Sequence, residues 1–534
     1  MDINDSLFWI VGLSVAMLTA RLIFQRPFPW GWFVVLMLLV VILAGGELLY
    51  PEVVGYIAGA VWMLLVLLPS VGQRLALRLV NTRRSHAARW VARMVAWMHP
   101  ADGWGQMRIF VDALADLQQG RVAEGRERLQ RLQNRSTPLG RTALALQVRQ
   151  AADWEGFLQW INAAPDRETL LEDNQILDVY LQTLGETGRR QLMLHEFGDR
   201  LHDHTHALAQ LRVAALCGDE QTVEALLAGP LRDSPRDVAR FWRATARQVQ
   251  DPAAAMPEFE DLSHSPNGMV ATIAARRLAS PVSPLADGEL SPSAQAILIS
   301  LRKDAVHETQ FAVMSSTPYR LPVVTFVIAA LLVINFAREL SGGAEDLRNL
   351  IELGAVVIPR EPHFNEWWRP VTAAFLHFGW AHFLMNLFAL IYLGTRLERA
   401  WGPWKTLACY AAAVAVSMTV TPRLLELTAD QHQLLAGASG GIMGLLGGLL
   451  GHLIVGRLRR RTPQVVRQLS LLIGFVLLQT IFDLSHEAVS HQAHLLGLAT
   501  GGVIGLLVGA TSKQSASRSS EATLPEAAPS VAVP

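Results

Sequence analysis

The chain has 534 residues, 51% hydrophobic and 17% charged, with 46 basic and 46 acidic side chains. Soluble proteins carry about 25% charged residues, so a wholly soluble chain is excluded, and zero net charge gives no global case for a nucleic-acid partner. The two cysteines, Cys217 and Cys409, lie far apart, which argues against a disulfide framework or a cysteine-based metal site.

Residues 6–24, 29–48 and 52–71 are three apolar runs, each about the twenty residues a helix needs to cross a bilayer. The first has an acidic flank, Asp2 and Asp5, and no cleavage pattern, so it reads as an anchor. Arg21 and Arg26 follow the first run, Glu47 and Glu52 flank the turn between the next two, and Arg74, Arg78, Arg83, Arg84, Arg89 and Arg93 follow the third. The positive-inside rule then predicts an outside N-terminus and a cytoplasmic chain from residue 74.

Residues 75–280 are rich in charge, with apolar residues at helical spacing, as in Phe110, Leu114 and Leu117. Gly120, Gly140, Gly185 and Gly218 read as breaks between short helices. Val111–Gln133 and Ala207–Leu231 each read as helix, glycine turn, helix, an irregular pattern similar to tetratricopeptide-type hairpins. A soluble helical domain that binds a protein partner is one expectation; a merely packed helical domain is the plainer one. His202, His204 and His206 read as solvated surface, not as a metal site.

Residues 281–294 are rich in proline and serine and read as a linker, followed by a helix over 295–307. A second membrane block then runs over 320–338, 371–394, 404–420, 435–455, 468–484 and 492–510, giving nine spans in all. Arg457, Arg459, Arg460 and Arg461 form the most basic loop, and Arg396, Arg399 and Lys405 lie in another. Both are cytoplasmic if residue 319 is, so the two membrane blocks predict one topology independently. Residues 511–534, rich in serine, alanine and proline, are expected to be a disordered tail.

Ionisable residues inside a membrane are costly and are functional candidates by default. Here they gather at one level. His377, His382 and Asn386 open the second span of the block, Ser439 opens the fourth and His494 the sixth, all toward the outer leaflet. Ser439 lies in Gly437-Ala438-Ser439-Gly440, where small neighbours let a substrate backbone approach. The fourth span carries Gly440, Gly444, Gly447, Gly448 and Gly451, and the sixth Gly497, Gly501 and Gly505. Such faces let two helices pack nearly backbone to backbone, which would bring hydroxyl and imidazole within reach, as a serine nucleophile needs. The Ser439 N–H, His382 and Asn386 are candidate donors to an oxyanion. The plainer reading of the serine stretch is a small-residue packing face.

Together, Glu366-Trp367-Trp368-Arg369, Thr372-Ala373, Phe375-Leu376-His377, His382, Asn386, Gly437-Ala438-Ser439-Gly440, and Ala493-His494 with Gly497 and Gly501 resemble the rhomboid family of intramembrane serine proteases. The resemblance covers about residues 318–510, a six-span core. It implies a catalytic Ser439/His494 dyad, an oxyanion site from His382 and Asn386, and cleavage of transmembrane protein substrates within the lipid bilayer, with no cofactor and no metal. It also makes 340–366 the family's first loop in the outer interface, and Glu398 with Gly402 its short motif after the second span. Asn365, Gln492 and Ala400 depart from the family pattern and bear on substrate fit.

The expected fold is all-α and polytopic: three N-terminal transmembrane helices over 1–73, a cytoplasmic tetratricopeptide-like domain over 74–280, a linker and helix over 281–317, and the six-helix rhomboid-like bundle over 318–510. The expected location is a bacterial plasma membrane. His377 reads as a structural brace. His491 is a weaker rival base because it lacks the following glycine spacing. Asp483, in the fifth span, is a candidate triad acid, but with no contact to the sixth span in its favour it reads as a buried polar residue bonded to a neighbour. His486-Glu487-Ala488-Val489-Ser490-His491 is one residue too long for a zinc-protease helix, and the Gly-Asp pairs at 198 and 218 lie outside the membrane blocks. A non-proteolytic relative that binds membrane-protein clients, with the soluble domain as recruiting module, is the alternative; such proteins lose the serine or the histidine, and both are present here.

Overall fold

The computed structural model describes residues 3–23, 30–98, 103–132, 134, 137–200, 207–311, 321–358, 366–425, 433–485 and 490–511. His202, His204 and His206, and the tail beyond Thr511, lie outside the described residues. Nearly all of what is described is helix, and the chain divides into two compact units, Met1–Arg302 and Lys303–Pro534.

The first unit begins with three long apolar helices, Ile3–Ile23, Trp30–Leu49 and a continuous stretch from Val54 to Asn81. Asn4 ties the first to the third: its amide donates to the Pro51 carbonyl at 2.7 Å and accepts from the Gly55 N–H at 2.8 Å. The helices after residue 84 are short and amphipathic and bury a core of leucine, alanine and aromatic side chains. Gly120 and Gly218 sit in turns with φ of +78° and +73°, a conformation glycine adopts without strain. Gly140 and Gly185, expected as breaks, instead lie inside Pro138–Ala151 and Asn174–Glu186. They are contact points: a Cβ on Gly140 would meet the Asn134 carbonyl oxygen at 1.9 Å, and one on Gly185 would meet Leu216 at 2.6 Å. The turn after Gly185 is made by Gly188, at φ +75°. Residues 281–291 are not a free linker. Buried Arg190 donates to the Leu216 carbonyl at 2.7 Å, to Glu289 and to the Ser283 carbonyl, pinning the segment to the helical domain.

In the second unit, helices Val323–Gly342, Gly379–Trp401, Pro403–Leu425, Ser439–Arg459, Pro463–Ser485 and His491–Thr511 surround an apolar core that includes Leu332, Phe336, Leu390, Leu397, Leu446 and Leu453. Seven helices among the described residues are long and apolar enough to cross a membrane, two in the first unit and five in the second. This is an integral membrane protein, with fewer qualifying helices than the nine runs expected. Ile3–Ile23 contributes only a shorter apolar stretch, Leu7–Thr19, and Gly379–Trp401 does not qualify. The latter carries His382 and Asn386 at one end and Arg396, Glu398 and Arg399 at the other.

The run expected over 371–394 is broken in two. Arg369–Ala373 forms one short helix, and the next begins only at Gly379, whose φ of +79° cannot continue a helix from the residues before it. Glu398 closes the lower end of the bundle: its carboxylate accepts from the N–H groups of Val324 and Thr325 at 2.9 and 2.8 Å and from the Thr325 hydroxyl at 2.7 Å. It satisfies donors that a helix start leaves open.

Candidate active site

Two short strands frame the serine segment. β1 (Val356–Ile358) pairs antiparallel with β2 (Gln433–Leu435), Val357 opposite Leu434. The Gly437 N–H then donates to the Ala373 carbonyl at 2.8 Å. The chain is therefore held on both sides just before Ser439, the first residue of its helix. The loop carrying β1 is itself fixed by Arg369, buried to 6% exposure, which donates to the carbonyls of Ile351 and Ala355, each at 2.8 Å, and pairs with Glu366 at 2.6 Å. That ion pair holds the Glu366 carboxyl below its usual range. Thr372 adds a hydroxyl bond to the Gly354 carbonyl at 2.8 Å. The Glu366-Trp-Trp-Arg369 signature thus works here as a clamp on the loop.

His382 reaches the serine segment from a different helix. Its Nδ1 accepts from the Phe378 N–H at 3.3 Å, which leaves the ring proton on Nε2. A Cβ built on Gly437 would sit 3.1 Å from that Nε2 and 3.5 Å from the Ser439 Oγ, so donor and hydroxyl flank one point. Gly437 has φ +137°, and a side chain there would fill the space between them. Asn386 follows one turn later, buried, and its amide nitrogen has no hydrogen-bond partner among the described residues. An orphaned buried donor of this kind calls for an explanation. His377 packs behind: its N–H donates to Glu339 at 3.1 Å and its ring meets His382 edge to face at 5.2 Å.

The Ser439 and His494 helices meet through glycine. A Cβ on Gly497 would lie 2.1 Å from the Gly440 carbonyl oxygen, one on Gly501 1.8 Å from that of Gly444, and one on Gly505 2.3 Å from that of Gly448. Only glycine fits such an approach. Gly440 directly follows Ser439, and Gly497 is one turn after His494, so both polar residues stand at the same end of this seam. Among the described residues no hydrogen bond joins the Ser439 hydroxyl to the His494 ring. His491 is exposed, whereas His494 is buried.

Asp483 corrects the sequence reading. It does contact the sixth span: its Oδ2 lies 2.7 Å from His494 Nδ1, with both side chains buried. Its other oxygen accepts from Gln479 at 2.8 Å. The signal available was its position at the C-terminal end of one helix, a short connection before the next. Among the described residues no cluster of histidine, cysteine and acidic side chains forms a metal site.

The family model described as Rhomboid domain matches residues 364–511. This chain carries a rhomboid domain. Over 154 residues the chain is 32% identical to rhomboid protease GluP of Bacillus subtilis, covering 28% of each chain. It is 30% identical over 162 residues to RHOMBOID-like protein 6, mitochondrial, of Arabidopsis thaliana, covering 30% of this chain and 49% of the relative. Rhomboid protease GlpG of Klebsiella pneumoniae is 32% identical over 163 residues, covering 29% of this chain and 55% of the relative. The chain spans about a quarter to a half of the length of these relatives. No solved structure matches. The residues before the rhomboid domain, including the whole first unit, lie outside the family match.

Proposed function

We propose that this chain is an intramembrane serine endopeptidase that cleaves transmembrane segments of other membrane proteins, with Ser439 as nucleophile and His494 as general base and acid. The observation that carries this reading is the convergence, at one end of a glycine-packed helix pair in a rhomboid domain, of a helix-opening serine, a buried imidazole and a second imidazole whose Nε2 lies beside the serine segment.

The chemistry follows from those roles. Ser439 Oγ attacks the scissile carbonyl carbon while His494 Nε2 takes the hydroxyl proton, and the carbonyl electron pair moves onto oxygen. The oxyanion is met by the Ser439 N–H at a helix start, by His382 Nε2–H and by the Asn386 amide. As the C–N bond breaks, His494 returns the proton to the leaving amine, and the acyl group stays on Ser439. Water then attacks with the same base, releasing the acid and restoring the hydroxyl.

Basic residues at 396, 399, 405, 457 and 459–461 support a cytoplasmic lower end, with the site near the outer face of a bacterial plasma membrane. On that topology the helical domain is cytoplasmic and a candidate recruiter of protein partners. The test is labelling of the full-length protein in liposomes with a serine-directed fluorophosphonate, alongside cleavage of a reporter transmembrane substrate. Wild type is expected to label and cleave, and S439A to do neither. Equal cleavage by S439A, or wild type that neither labels nor cleaves, overturns the reading.

A further inference from the structure

We infer that Asp483 is a positioning residue for His494, adding a carboxylate behind the imidazole of the proposed Ser439/His494 pair; this rests on the proteolytic reading above. The two groups come from different helices, Pro463–Ser485 and His491–Thr511, and meet at 2.7 Å between Asp483 Oδ2 and His494 Nδ1. Their side chains are 5% and 9% exposed, so no bulk water competes for the bond.

A carboxylate only accepts hydrogen bonds. The ring proton of neutral His494 therefore sits on Nδ1, and Nε2 keeps the lone pair that a hydroxyl can donate to. Without Asp483 nothing would hold the ring proton on Nδ1, and the tautomer protonated on Nε2, where the base must be free, would compete. When Nε2 takes the Ser439 proton, the imidazolium forms against a fixed negative charge, and the Nδ1 proton stays where it was. Gln479, one turn earlier on the Asp483 helix, donates to Oδ1 at 2.8 Å and so sets which oxygen faces the ring. Among the described residues Asp483 forms no ion pair with lysine or arginine. A carboxylate carried into a membrane helix with only an amide and an imidazole as partners is placed at a cost that packing alone does not repay.

The helix bearing Asp483 makes this contact stand out. Leu471, Leu477, Ile481 and Leu484 are all more than half exposed on it, as on a lipid-facing helix. Its polar groups Gln479 and Asp483 both serve the His494 contact.

The experiment uses the full chain in liposomes, with wild type, D483N, D483E, D483A and S439A. It measures the rate of fluorophosphonate labelling, kcat and KM on the reporter substrate, and the thermal midpoint. D483N keeps the shape but can present an N–H to Nδ1, favouring the wrong tautomer. It is expected to slow labelling and kcat by about a hundredfold or more, with KM changed less than about twofold. D483E is expected to retain more activity than D483A. A merely structural role would lower the thermal midpoint and raise KM without this split. Labelling and kcat of D483N within about threefold of wild type overturn the inference while leaving the protease reading intact. If D483N does not fold, equal rates in D483E and D483A overturn it instead. Wild type that fails to label sinks the protease reading, and this inference with it.

Discussion

The helical domain of the first unit and the bundle of the second use the same residue types for opposite purposes. In the helical domain, glycine at 120, 188 and 218 turns the chain at positive φ, and stability comes from apolar burial with charged pairs set into it, several of them buried. Asp116 is met by Arg89 and Arg128, Asp178 by Arg149, and Glu186 by Arg277. In the bundle, the glycines of the Ser439 and His494 helices lie mid-helix and carry the packing. Lipid gives no hydrophobic drive for helices to associate, so backbone contact and a few polar bonds must do it. Charge there is spent on single tasks, Glu398 on a helix start and Asp483 on an imidazole.

The largest effect that would sharpen this contrast is G501L. Its first side-chain atom would lie 1.8 Å from backbone oxygen, which cannot move aside as a flexible side chain can. The expected outcome is loss of more than about 4 kcal/mol and of all fluorophosphonate labelling, read by thermal unfolding in detergent and by gel. A folded, active G501L would break the claim that glycine carries the bundle.

The matching perturbation in the helical domain is R277A. Arg277 and Glu186 are 6% and 7% exposed and joined by two bonds of 2.7 Å. Removing one partner strands a buried charge, at an expected cost of about 3–5 kcal/mol. The double variant R277M/E186M is expected within about 1 kcal/mol of wild type, because both charges leave together. Unfolding curves of the full chain decide; equal losses in both variants would mean that packing by the Arg277 stem, not charge, holds the site.

Much of the bundle could be read in the sequence because apolar runs of bilayer length are a one-dimensional signal. Ser439, His382, Asn386 and His494 stood out for a related reason, being polar groups where lipid makes them costly. The strands β1 and β2 did not stand out. Each is three residues, too short to alternate, and their pairing joins Val356 to Leu435 across the intervening chain. The break at Gly379 was hidden inside a continuous apolar run, since hydropathy carries no φ. Gly140 and Gly185 misled in the other direction: glycine at a helix contact and glycine in a turn look alike until the neighbour is known. Asp483 was visible but unassigned, because its partner lies on another helix and no spacing within one helix points to it.

The smallest effect concerns Glu308, on the helix Pro292–Phe311 that precedes the bundle. It is buried, and its carboxylate accepts from the Gln464 N–H at 3.3 Å, beside the Asp304–Arg460 pair. Burial pushes its pKa up to about 7 from 4.5. Between those values the folded chain keeps the proton and the unfolded chain has lost it, so unfolding releases a proton and stability falls as pH rises. The contribution is fully present below about pH 4.5 and gone above about 7. His307, stacked on Phe311 at 4.7 Å, works against this trend, because burial lowers its pKa to about 4 and its contribution is lost as pH falls. Wild type alone would therefore show a flattened curve, and the difference between wild type and E308Q isolates the carboxyl. E308Q is expected to match wild type near pH 4.5 and to exceed it by about 1–3 kcal/mol at pH 8 in detergent unfolding, whereas parallel curves would place the Glu308 carboxyl in water.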